Sequence, residues 1–87
     1  MAYAIVFTSV AERELKRIAL RDRERISARI DGLAAEPRPA GVKALQGGGG
    51  LLRLRVGDYR VLYEVRDTEV IVIVVRIGHR REVYRGV

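Results

Sequence analysis

The chain contains no cysteine and no tryptophan, a single histidine, two prolines and one methionine. Without cysteine there is no disulfide and no thiolate metal site. A lone His79 argues against a zinc site, and neither a metal nor another cofactor is expected. Long hydrophobic runs are missing too. The longest, Val70 to Val75, is far too short to span a bilayer. The N-terminus lacks the basic segment, apolar stretch and cleavage site of a secretion signal. No membrane contact is expected, and the cytoplasm is the expected location. Lysine is scarce as well: Lys16 and Lys43 stand beside fifteen arginines.

What is present suits one small folded domain spanning residues 1–87. Hydrophobic residues make up 48% of the chain and charged residues 32%, a soluble globular balance rather than a disordered one. A chain of this size has a modest core, and a partner covering apolar surface would stabilise it. The net charge is +6, which implies affinity for polyanions and fast association with them. Arginine in place of lysine favours planar, two-point contacts to phosphate. A GC-rich genome also raises arginine over lysine, but it does not explain where the arginines fall.

Tyr3 to Phe7 is a short β-branched and aromatic run, a first strand. Thr8 or Ser9 opens a helix, and Ser9-Val-Ala-Glu12 fits a capping box. Val10, Leu15, Ile18 and Ala19 form its apolar stripe. Arg21-Asp22 marks a break, with Asp22 a candidate cap for a second helix that runs to about Ala35. Ile26, Ile30 and Leu33 are its buried face, and Pro37 ends it. The two helices are expected to form an antiparallel hairpin. Glu36 to Gly50 is a loop. Its run Gly47-Gly-Gly-Gly50 lacks the Lys-Ser/Thr and the helix that a phosphate loop requires, so it reads as a flexible turn. Three strands follow, at about Leu51 to Val56, Tyr59 to Arg66 and Glu69 to Ile77, with Asp67-Thr68 at the second turn. Gly78 to Val87 is a basic tail. The expected fold is α+β with order β-α-α-β-β-β, the helical hairpin covering one face of a small, mostly antiparallel twisted sheet.

The pairing of the first hairpin is readable. Gly57-Asp58 suits a two-residue type II′ turn. Val56 then lies opposite Tyr59, Arg55 opposite Arg60 and Leu54 opposite Val61. One face collects Leu52, Leu54, Val56, Tyr59, Val61 and Tyr63. The other carries Arg53, Arg55 and Arg60. Like charges across a ladder are unfavourable, so the pair points to an anion, and phosphate fits a guanidinium fork. A solvated outer face that discourages aggregation is the competing explanation.

Gly78-His-Arg-Arg81 follows the central strand. A turn at Asp67-Thr68 would set Arg60 near Val75, bringing His79, Arg80 and Arg81 beside Arg55 and Arg60. Such a cluster could hold a scissile phosphate and stabilise a five-coordinate phosphorane. His79 is the one ordinary group that titrates near neutrality and is a candidate proton carrier. Tyr84 is either a core plug or a substrate contact. The same face carries Leu62, Ile71, Ile73 and Val75. This apolar floor within a basic rim suits an amphipathic partner helix, unless the tail covers it.

Leu52-Arg-Leu-Arg-Val-Gly-Asp-Tyr-Arg-Val-Leu-Tyr63, the hydrophobic strand after it and Gly78-His-Arg-Arg-Glu-Val-Tyr84 together resemble a RelE toxin of the RelE/ParE superfamily, over essentially the whole chain. The resemblance implies the toxin component of a type II toxin–antitoxin system, bacterial or archaeal. It implies a metal-independent endoribonuclease that enters the ribosomal A site and cuts mRNA by 2′-hydroxyl attack, leaving a 2′,3′-cyclic phosphate. A cognate antitoxin would wrap the toxin, and operator DNA would be met only through that complex. Carried over by residue, Arg60 contacts the scissile phosphate and Arg53 matches a basic position on the preceding strand. Arg80 matches the arginine after the later strand turn, and Tyr84 the tyrosine that acts on or stacks against substrate. His79 sits where some members carry lysine. Leu51 stands where the better-known bacterial enzyme has a lysine, with Arg55 or His79 the candidates to compensate. The catalytic set is thus Arg60, Arg80, Tyr84 and His79, with Arg53, Arg55 and Arg81 binding RNA phosphates. ParE members of the superfamily instead block DNA gyrase without catalysis, which is the alternative activity.

Overall fold

Alternating apolar residues, a capped amphipathic segment and one tight turn account for most of the architecture. The computed structural model describes residues 2–79. In chain order it contains β1 (Ala4–Phe7), α1 (Ser9–Lys16), α2 (Leu20–Gly32), β2 (Lys43–Ala44), β3 (Leu52–Val56), β4 (Tyr59–Arg66) and β5 (Ile71–His79). The sheet order is β1-β5-β4-β3-β2. β1 runs parallel to β5 and the other neighbours are antiparallel. This is the α+β arrangement expected, with one more strand: the two-residue β2 lies inside the segment read as loop.

Both helices pack on one face of the sheet. Ala11, Ile26, Ile30 and Leu33 meet Leu54, Val56, Val61, Tyr63, Val72, Val74 and Ile77 in one buried cluster. Each fully buried aliphatic side chain contributes about 1.5–3 kcal/mol by leaving water. The Tyr63 hydroxyl donates to the Pro37 carbonyl at 2.7 Å, so the largest core side chain satisfies its polar end.

Of the two residues expected to open the first helix Thr8 is the cap, while the capping box through Ser9 and the Asp22 cap do not form. The Thr8 hydroxyl, not Ser9, caps α1 by accepting from the Ala11 N–H at 3.1 Å. Glu12 pairs instead with Lys16 one turn on. Thr8 wins because its hydroxyl also donates to the Val75 carbonyl, which holds it at the sheet. α2 begins at Leu20 with Ala19 at the cap position and no side-chain cap bond, so Asp22 lies in the first turn rather than before it. The tetraglycine run turns β2 back onto β3, with Gly47, Gly49 and Gly50 at φ of +73°, +64° and +92°, conformations other residues adopt at a cost.

β5 runs five residues, 75–79, past its last pairing with β1. β1 pairs only up to Phe7 with Val74. Past that point the edge is closed by side chains: Thr8 takes the Val75 carbonyl, and the Glu14 carboxylate accepts the Ile77 N–H at 2.9 Å. Glu14 also holds the Arg76 guanidinium at 3.1–3.2 Å. A carboxylate therefore does the work of a missing strand.

The second hairpin corrects two expectations. Its turn has four residues, 67–70, rather than two, and Val70, expected in the strand, sits at φ +57°. Val75 is then an extra residue in β5, since Leu62 pairs with Arg76 while Tyr63 pairs with Val74. Arg60 consequently faces Gly78, not Val75.

Candidate functional site

The sheet face opposite α1 and α2 gathers its cations at one end. Arg55 pairs across the ladder with Arg60, as the turn chemistry requires. Gly57 lies at φ +60° while Asp58 is not in the left-handed region, consistent with the type II′ turn. The turn also explains how two like charges are held side by side. Arg55 Nε donates to the Gly57 carbonyl at 3.4 Å, and Arg60 Nη1 donates to the same oxygen at 3.3 Å and to the Tyr59 carbonyl at 3.1 Å. The guanidiniums converge on one turn carbonyl, and their remaining N–H groups are left for an anion.

Arg53 lies one row further along and pairs with Leu62 on one side and with Lys43 of β2 on the other. Lys43 extends the basic face and was missed from the sequence because β2 was read as loop. The alternation around Val42-Lys43-Ala44 was the available signal. Beyond that row the face turns apolar. Ile71 and Ile73 are half-buried on it, in register with Ala4 and Val6 of the parallel edge strand, and Val6 is 45% exposed. Val75, at the bulge, is half-buried as well.

Of two further residues expected on this face, one is on it but buried and the other is on the opposite face. Leu62 has no exposed surface; it occupies a central strand with arginines as cross-strand neighbours on both sides, so it offers nothing to a partner. His79 pairs with Tyr59, and Tyr59 packs on the helix-side cluster. The two rings meet edge to face with centroids 5.2 Å apart. His79 therefore lies on the face opposite Arg55 and Arg60, turned there by the extra residue in β5. Arg80, Arg81 and Tyr84 lie outside the described residues. Glu64 is on the arginine face but is engaged by Arg66 at 3.1 Å. Among the described residues no three His, Cys, Asp or Glu side chains are gathered as metal ligands, and no helix is long and apolar enough to cross a membrane.

A cationic row beside an apolar floor, on the face that no helix of the described residues covers, can hold a phosphodiester at one end and an amphipathic segment at the other. Known proteins share the fold. The family model described as ParE toxin of type II toxin-antitoxin system, parDE, matches residues 5–84. Toxin RelG of Mycobacterium tuberculosis is 31% identical over 86 residues, which is 98% of this chain and 99% of that protein. Among solved structures, the RelBE2 toxin–antitoxin complex of Mycobacterium tuberculosis superposes with a TM-score of 0.81 at 29% identity, covering 92% of this chain and 100% of the other. The archaeal RelE–RelB complex of Pyrococcus horikoshii gives a TM-score of 0.81 at 28% identity, covering 93% and 98%.

Proposed function

This chain belongs to the RelE family of the RelE/ParE superfamily of type II toxin–antitoxin toxins, and on that premise we propose that it is a ribosome-dependent endoribonuclease that cuts mRNA in the A site. The cross-strand pair of Arg55 and Arg60 carries this reading, because both guanidiniums gather at the Gly57 carbonyl on the face opposite α1 and α2. In the proposed reaction the RNA 2′-oxygen attacks the adjacent phosphorus and the bond to the 5′-oxygen breaks. The 2′-hydroxyl gives up its proton and the leaving oxygen gains one, so the products are a 2′,3′-cyclic phosphate and a 5′-hydroxyl. Negative charge grows on the non-bridging oxygens during this step. Arg60 and Arg55 would meet it as fixed donors, with Arg53 and Lys43 holding the neighbouring phosphates. Arg80, Arg81 and Tyr84 are assigned to the same task from the family resemblance, Tyr84 to proton transfer or stacking.

Truncation of Arg60 to Ala is expected to cost about 2–4 kcal/mol of transition-state stabilisation, the scale of one lost oxyanion donor. Primer extension on mRNA under translation measures it. Equal cleavage by wild type and R60A removes Arg60 from the mechanism, and product ends other than a 2′,3′-cyclic phosphate remove the 2′-hydroxyl route.

The apolar half of the same face supports a cognate antitoxin as partner. Ile71, Ile73 and Val75, with Val6 beside them, would take the apolar side of its helix, and the basic row its acidic flank. Relatives of known structure are in complex with RelB antitoxins. Operator DNA would be met through that complex. The matching family model bears a ParE description, which supports a second reading as a non-enzymatic inhibitor of DNA gyrase. Gyrase-dependent DNA cleavage complexes formed by the purified protein would favour it.

A further inference from the structure

The groove on the helix side of the same sheet end is unused by the proposed reaction. It measures about 390 Å³ and is lined by Arg17, Ile18, Tyr59, Ile77 and His79, with the Glu14–Arg76 pair at its side. That volume lies in the low range of small-ligand clefts. Tyr59 and His79 stand edge to face within it, at 5.2 Å. Ile18 and Ile77 give it an apolar floor. Its carboxylate, Glu14, is occupied by the Arg76 guanidinium and the Ile77 N–H, so its charge is already neutralised. Arg17 is exposed and takes part in no ion pair with the described residues. Aromatic rings, an apolar floor and an uncommitted guanidinium together suit a planar base that carries phosphate.

The place of the groove decides which nucleotide that is. Tyr59–His79 and Arg60–Gly78 are consecutive cross-strand pairs at the end of the sheet, and consecutive Cα atoms are about 3.8 Å apart. The two pairs point to opposite faces. Gly78 has no side chain opposite Arg60, so nothing on β5 at that row stands between the phosphate site and the sheet's end. We propose that the groove is a second nucleotide site, which takes the residue adjoining the scissile step as the RNA strand bends around the end of β4 and β5. His79 then contacts a base rather than the reacting atoms. The inference rests on the endoribonuclease reading and names a further part of its substrate.

The test uses ribosomes programmed with an mRNA that carries 4-thiouridine next to the cleaved step. With wild-type toxin, irradiation is expected to link that nucleotide to the segment bearing Tyr59 or His79. R17E and H79A are each expected to raise the toxin concentration for half-maximal cleavage about tenfold, the effect of losing roughly 1.4 kcal/mol of stacking or charge contact, while the rate at saturation is unchanged. Excess nucleoside monophosphate is expected not to compete. Cleavage that depends on Arg60 without any cross-link to the groove overturns the second site and leaves the endoribonuclease reading intact. A fall in the saturated rate of H79A returns His79 to the chemistry and also overturns it. Strong competition by the free monophosphate reassigns the groove to a small nucleotide. Absence of cleavage by the wild type removes both readings.

Discussion

Asp67 receives a two-point contact from Arg38, at 3.1 and 2.9 Å, and a third hydrogen bond from the Tyr3 hydroxyl at 2.7 Å. All three favour the ionised carboxylate. The Arg38 bonds first and the Tyr3 bond second hold its pKa below the ordinary 3.8. A carboxylate whose native pKa is lowered contributes stability that is complete above its unfolded value and is lost as pH falls through the native one. D67N is therefore expected to lower the urea midpoint at neutral pH, and the gap to wild type is expected to close as the solution is acidified below pH 3.8. Urea midpoints measured across that range decide it, and a gap of constant size contradicts it. Tyr63 behaves in the opposite sense. Burial pushes its phenol up to about 12, offset in part by the Arg38 charge, so it remains a neutral donor to Pro37. None of these partners is near Asp67 or Tyr63 in the chain, and nothing in the local sequence identifies them.

At the scale of elements, the two hairpins of the sheet contrast. The β3–β4 hairpin was legible to the residue, because a two-residue turn and period-two alternation leave one register. Gly57 is essential to it. An added Cβ would sit at φ +60° and 3.1 Å from Arg25 Nη2, which reaches across from α2. G57A is expected to cost about 1–2 kcal/mol through the left-handed backbone alone, read as a lower urea midpoint, with cleavage reduced because Arg55 and Arg60 share that turn's carbonyl. A midpoint equal to wild type would contradict it. The β4–β5 hairpin was not legible. Its four-residue turn is held by distant groups: Asp67 by Tyr3 and Arg38, and the Val70 carbonyl by the Ala4 N–H at 3.0 Å. The extra residue at Val75 is likewise accommodated by Thr8 of another element. With these corrections Arg60 moved three positions along β5, from Val75 to Gly78.

The whole molecule presents two unlike sheet faces. One is covered by helices. The other is basic at the hairpin end and apolar toward Ile71, Ile73 and Val6, so a long ligand can use both halves. I73E places a charge in the apolar half and is expected to abolish copurification with the antitoxin, while the core on the opposite face keeps the toxin folded and able to cleave. Coexpression with a tagged antitoxin measures this, and undiminished copurification would move the antitoxin elsewhere. Three of the site arginines, Arg53, Arg55 and Arg60, were visible in the sequence as one face. Lys43 was not, since two residues of strand carry too short a pattern. His79 was misplaced because its face depends on how β4 meets β5, and Leu62, on the expected face, is buried there.

Composition and local pattern by themselves determined the absence of thiol chemistry, the apolar faces of the helices, the turn at Gly57-Asp58 and the opposed arginines beside it. These follow from side-chain inventory, a period of two and bonds between near neighbours. The tertiary structure alone decided the face on which His79 lies, the burial of Leu62, the addition of Lys43 to the basic row and the closing of the β5 edge by Glu14. A strand shifted by one residue turns every later side chain to the other face, and that shift was set by hydrogen bonds between segments more than sixty residues apart.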